Sequence, residues 1–243
     1  MKKLTVILFF TILSFSVSAQ RSADYGIYGG VTSYLGDINP GRILYRPLPA
    51  GGLFYRYNLH PRQSIRANLL MGGLKGYDSD FNNSFQLARN SKFKGFVVEG
   101  AFQFEFNFLP YSTQGKKWNF TPYFAAGAGY SYLNIDSLIW DPLNESYEDV
   151  IPITGFKPII PFSVGLKVNI AKNLGLEVEY GFRKTFYDNF DGLTENIDPQ
   201  HKNKAWLHNN DWYSFAGVAF TWKIYNKLVR CPAFNDVDAP RRR

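Results

Sequence analysis

Between Phe96 and Phe108 the chain alternates strictly: Phe96, Val98, Gly100, Phe102, Phe104, Phe106 and Phe108 are separated by Val97, Glu99, Ala101, Gln103, Glu105 and Asn107. A period of two puts the two sets on opposite faces of a β-strand. Burying Glu99 and Glu105 in a dry soluble core would be costly. A membrane barrel accommodates both faces, with the Phe row towards lipid and the carboxylates towards a polar interior. The pattern returns in Ile160, Phe162, Val164, Leu166 and Val168 against Ser163, Lys167 and Asn169. It returns again in Leu174, Leu176, Val178, Tyr180 and Phe182 against Glu177, Glu179 and Arg183. Weaker versions near 23–35, 50–59, 63–74, 118–133 and 211–225 bring the total to about eight strands.

The connections set the topology. Links after the second, fourth and sixth strands are short, at His60-Pro61-Arg62, Pro110 to Lys117 and Ala171-Lys172-Asn173. The others, near 36–48, 75–92, 134–156 and 187–210, are long and polar. This rhythm predicts an all-β fold, an eight-stranded antiparallel transmembrane β-barrel with short periplasmic turns, longer outer loops and a short periplasmic C-terminal tail. Lys2 and Lys3, the apolar run Leu4 to Val17 and the small residues to Ala19 read as a signal peptide, 1–19. That run is shorter than the ~20 apolar residues a spanning helix needs. The barrel then occupies 20–225 and a basic tail 226–243, which places the protein in the cell outer membrane with both mature termini periplasmic.

Composition agrees with this picture. Aromatic residues make up 18% of the chain, and the barrel girdles use such rings. Trp118, Trp212, Trp222, Tyr111, Tyr132 and Tyr225 stand near strand ends, at headgroup level. The formal charge of +7 would suit nucleic acid, but export argues against it, and Lys227, Arg230, Arg241, Arg242 and Arg243 cluster in the tail. The single cysteine, Cys231, excludes an internal disulfide and offers no metal pattern.

Inward charges on the strands, Arg56, Arg66, Lys167 and Arg183 with Glu99, Glu105, Glu177 and Glu179, read either as an ion route or as a salt-bridged plug. An eight-stranded barrel has room for side chains rather than for a channel, which favours the plug. An enzyme would draw on His201 or His208 with Asp198, Asp211 or Ser214, residue types suited to base catalysis. No spaced signature accompanies them, so the reading is non-enzymatic. Asp188, Asp191 and Asp198 lack the tight ladder of a calcium loop, and no cofactor is expected.

The eighth strand ends on Phe220 and Trp222, like an outer-membrane insertion signal, yet the chain continues. Lys227, Arg230, Cys231 and Phe234 in this continuation, with His60 and Tyr111 in the short turns, are the candidate docking residues. The tail is too poor in apolar residues to fold alone.

Several stretches resemble the PorG-type outer-membrane barrel of the Bacteroidetes type IX secretion system. They are Gly30-Val31-Thr32-Ser33-Tyr34-Leu35-Gly36-Asp37, Arg56-Tyr57-Asn58-Leu59-His60-Pro61-Arg62, Glu105-Phe106-Asn107-Phe108-Leu109-Pro110-Tyr111, Gly181-Phe182-Arg183-Lys184-Thr185-Phe186 and Asp211-Trp212-Tyr213. The resemblance implies a non-enzymatic component of a protein-export machine. Its implied partners are outer-membrane lipids, an outer-membrane lipoprotein and a periplasmic ring protein.

Overall fold

The structure is a computed structural model and describes residues 22–224 except 37, 40, 83, 114–117, 142–145, 150–152 and 187–210. The proposed leader, 1–19, and tail, 226–243, lie outside the described residues. Eight strands form the wall: β1 (Ser22–Leu35), β2 (Leu48–His60), β3 (Gln63–Tyr77), β4 (Lys92–Asn107), β5 (Phe120–Asp141), β7 (Ile153–Ala171), β8 (Leu174–Thr185) and β9 (Trp212–Ile224). Each pairs antiparallel with its neighbour, and β1 pairs with β9 from Ala23↔Ile224 to Leu35↔Trp212, closing the ring. A ninth strand, β6 (Ser146–Asp149), stands outside the wall and forms a hairpin with the end of β5, Leu138 to Asp141. Between β3 and β4 lie a 3-10 turn, Asp78–Asp80, and a short helix, α1 (Ser84–Arg89).

Closure gives every wall strand a partner on both sides, which is what allows a sheet to lie in lipid, where an unpaired backbone group has no water to bond. The outer surface carries the matching solvent preference. Ile27, Leu53, Leu69, Phe102, Phe104, Tyr130, Val164, Val178 and Phe220 are exposed, Phe102 at 71%. So continuous an apolar surface exceeds what a soluble monomer tolerates. The fold is therefore a transmembrane β-barrel, the architecture of bacterial outer-membrane proteins. Among the described residues no helix is long and apolar enough to cross a membrane.

Three short links, 61–62, 108–119 and 172–173, share one end of the barrel with Ser22 and Ile224. Asn173, in the last of them, has φ 69°. Leu35, Leu48, Tyr77, Lys92, Thr185 and Trp212 mark the other end.

Two expected loops are shorter than their polarity suggested. β3 runs to Tyr77 and β4 begins at Lys92, while β5 continues to Asp141 and β7 begins at Ile153. Ladder hydrogen bonds need no apolar side chains, so pairing such as Lys94↔Asp136 continues past the apolar belt. In contrast, β5 starts only at Phe120, because Trp118 sits in a turn at φ 65°.

Candidate functional site

The lumen holds the chemistry, and alternation in each strand decides what enters it. In β4 the inward positions are Phe93, Val97, Glu99, Ala101, Gln103, Glu105 and Asn107, and in β8 they include Glu177 and Arg183. From the short-turn end upwards the first charge is Asp24, which accepts from Asn58 Nδ2 at 2.9 Å and Thr113 Oγ1 at 3.1 Å. Above it Arg56 grips Glu177 with both terminal nitrogens, at 2.6 and 2.7 Å. Its Nε lies 2.6 Å from Glu105. Lys167 donates to the same Glu105 oxygen, Oε2, at 2.5 Å and to Asn107 at 3.1 Å.

The next layer is Arg66, bonded to Glu179 at 2.6 and 3.1 Å and to Gln103 at 2.6 Å. Tyr123 donates to Glu179 at 2.7 Å. Arg183 then donates to Glu99 at 3.1 Å, and Tyr213 donates to the same oxygen at 2.9 Å. All eight charged residues anticipated from the strand pattern thus stand in the lumen, seven of them buried and Glu179 nearly so. Buried ions must be paired to be tolerated, and these are paired between strands, with Arg66 of β3 reaching across the lumen to Glu179 of β8.

Towards the long-loop end the interior turns apolar. Tyr34, Ile38, Leu70, Leu74, Phe93, Val97, Leu133, Ile135, Ile159, Tyr213 and Phe215 pack as one cluster. Phe215 lies edge-on to Tyr28, with ring centroids 5.3 Å apart. Gly217 leaves room for it, since a Cβ there would sit 2.4 Å from the Phe215 ring.

Residues 38–39 and 41–46 fold over this cluster. Asn39 Nδ2 donates to the Tyr34 and Arg42 carbonyls at 2.8 Å each, and Gln86 of α1 donates to the Ile38 carbonyl at 3.0 Å. Asp80 fastens the loop, accepting from Tyr45 at 2.6 Å and from Arg46 at 2.7 Å. The Arg46 hydrogen bonds hold the Asp80 carboxyl below its ordinary range. Burial and the bond to Asp80 push the Tyr45 hydroxyl up to about 12.

The remaining candidates fall elsewhere. His60 is exposed at the end of β2, where Nδ1 accepts from the Arg62 N–H at 3.3 Å, a turn role. Tyr111, expected as a girdle and docking residue, is instead turned into the short-turn mouth and only 8% exposed. Its ring fills space beside Gly175, and burial raises its hydroxyl pKa. Tyr111 therefore offers a partner almost no surface. Asp211 accepts from the Tyr34 hydroxyl at 2.5 Å, and Ser214 shares a 2.8 Å bond with Ser33. Both tie β9 to β1. His201, His208, Asp188, Asp191, Asp198, Lys227, Arg230, Cys231 and Phe234 lie outside the described residues.

Asp24 and Lys223 were not anticipated. They are Cα partners across β1 and β9, and Lys223 Nζ donates to Ser112 at 2.8 Å. Their signal was parity, since each flanks an outward aromatic, Tyr25 or Trp222, and these two rings stack at 5.8 Å. With them this described network holds Asp24 and four glutamates against three arginines and two lysines, and within it the charges balance.

A family model described as a domain of unknown function, DUF6089, matches residues 2–233. The chain belongs to the DUF6089 family. No curated protein matches it in sequence. Among solved structures, Ail, the attachment invasion locus protein of Yersinia pestis, is 11% identical with a TM-score of 0.41, over 84% of this chain and 97% of that one. A major outer membrane protein from Thermus thermophilus is 14% identical with a TM-score of 0.43, over 83% and 99%. OprG from Pseudomonas aeruginosa is 9% identical with a TM-score of 0.40, over 87% and 100%. At these scores the barrel assignment of this DUF6089 member stands on its own closed ladder and apolar belt.

Proposed function

We propose that the chain is a non-enzymatic outer-membrane barrel of the type IX protein secretion machinery, anchoring or coupling the periplasmic ring complex to the outer membrane. In this reading the short turns and both mature termini are periplasmic. The partners are outer-membrane lipids, an outer-membrane lipoprotein and a periplasmic ring protein.

One observation carries the reading. Two of the stretches that resemble the PorG-type barrels, 56–62 and 105–111, meet at the short-turn end and are knitted together there. The Asn107 N–H donates to the Arg62 carbonyl at 2.8 Å and the Tyr111 N–H to the Pro61 carbonyl at 3.0 Å. Asn107 Nδ2 adds a bond to Pro61 at 3.2 Å. The backbone is thereby held as a rigid platform, with Leu59, His60, Arg62 and Leu109 on its exposed side. A pre-ordered surface loses little freedom on docking, which favours association. The paired, charge-balanced network supports an anchor over a conduit.

The test is an affinity pull-down of the tagged full-length barrel from outer membranes. Recovery of a lipoprotein and a ring protein, reduced by His60→Ala with Arg62→Ala, is the expected result. An inserted, heat-modifiable barrel that recovers neither would leave a general outer-membrane barrel without a secretion role.

A further inference from the structure

On the outer wall near the long-loop end, β3 and β4 set two lysines face to face. Lys75 and Lys94 are Cα partners. Their neighbours Leu74 and Phe93 point into the lumen, so by alternation both lysines point outwards. Like charges directly opposite one another on a sheet repel. Lys92, one outward step further along β4, adds a third cation. On the other side of β4, Asp136 stands opposite Lys94 and returns one negative charge. Lys75 and Lys94 against Asp136 leave the facing pair net positive.

Beside the pair, on the β5 side of Lys94, opens a groove bordered by Tyr77, Lys92, Lys94, Asn134 and Asp136, with Phe96 within it. The patch lies where the surface changes solvent preference. One outward step below Lys94 is Phe96, and one below Asn134 is Tyr132, whose ring lies 5.2 Å from that of Phe156. Phe156 is 73% exposed, and Phe102 and Phe104 continue the apolar surface down β4.

We propose that this lysine pair and the groove beside it form a binding site for one membrane lipid with an anionic phosphate headgroup. The phosphate lies between Lys75 and Lys94 and relieves their repulsion. The acyl chains run down Phe96, Val98 and Phe102. The occupant follows from the layout, because a cationic pair directly above a continuous aromatic face matches an amphiphile whose charge and hydrocarbon are joined in the same order. The inference rests on the barrel crossing a membrane and is independent of any secretion role.

Full-length protein in detergent micelles is titrated with dioleoyl phosphatidylglycerol and, separately, with dioleoyl phosphatidylcholine, and bound lipid is counted by native mass spectrometry. The unaltered protein retains the anionic lipid in preference to the zwitterionic one. Removing two lysine contacts, K75Q with K94Q, weakens that retention by about thirtyfold. Lys172→Gln, in a short turn at the opposite end, leaves it unchanged. Asp136→Asn keeps all three lysines and strengthens it, so the proposal stays testable even if the double variant misfolds. Equal retention by the unaltered protein and a folded double variant overturns the site, as does weaker retention by Asp136→Asn. Displacement of the lipid by excess inorganic phosphate marks a free-anion site and overturns the lipid assignment. The pull-down reads the opposite end of the barrel, so either reading can fail alone.

Discussion

Removing Arg56 tests whether the lumen is a dry, closed network. Arg56 is 1% exposed and is the only described cation bonded to Glu177, whose Oε1 otherwise accepts from Thr221 at 2.7 Å. Glu105 keeps Lys167 and Arg66 when Arg56 is lost. The penalty of Arg56→Met therefore falls on Glu177, left uncompensated, and such losses cost about 3–5 kcal/mol. Glu177→Met is milder, because Arg56 retains Glu105 at 2.6 Å and has Asp24 at 4.0 Å. Replacing both removes the stranded charge, and apolar replacement of a whole buried pair is often neutral or better. The double variant is thus more stable than Arg56→Met alone, with a coupling of about 2 kcal/mol. Denaturant unfolding in lipid vesicles, followed by tryptophan fluorescence, measures all four corners of the cycle, with heat-modifiable migration as the check on folding. Additivity within about 0.5 kcal/mol, or a cost of Arg56→Met below about 1 kcal/mol, would mean that water solvates these charges and would refute the dry network.

The lipid face, the loop latch and the orientation can each be probed separately. Phe104→Arg, on the lipid face at mid-strand, destabilises the inserted barrel by about 2–4 kcal/mol in the same assay, while Phe104→Leu is near neutral. The Asp80 latch stabilises the loop above the ordinary carboxylate value of 3.8 and loses that contribution as pH falls through the lower folded value. Limited proteolysis at residues 41–46 is therefore slow at neutral pH and faster once the medium is acidified below that ordinary value, and Asp80→Asn makes it fast at both. In a Cys231→Ser background, a cysteine at exposed Ile43 reacts with an impermeant reagent on whole cells and one at Lys172 does not. Labelling at Lys172 alone would invert the orientation.

Much of this architecture is legible in the sequence because lipid enforces a strict code. The row Phe102, Phe104 and Phe106 against Gln103, Glu105 and Asn107 states strand, facing and membrane at once. The code fails where both faces are apolar. Phe93 and Val97 point inwards while Phe96 and Val98 point outwards, so nothing in their polarity announces the packed upper lumen. Tyr111 was misleading for a related reason, since an aromatic ring fits a girdle, a lumen or a capped mouth equally well. The extra pairing of β5 with β6 went unseen because hydrogen bonding beyond the belt leaves no hydrophobic period. Asp24 was overlooked because one carboxylate among glycines and tyrosines makes only half an alternation.

A barrel whose lumen is closed by paired charges is expected to conduct no ions. Single-channel recording of the full-length protein in a planar bilayer tests this most directly. The expected result is insertion, verified by heat-modifiable migration, with no steady ion conductance at moderate voltage. A stable, reproducible conductance from the unaltered barrel would contradict it and assign the lumen charges to an ion route.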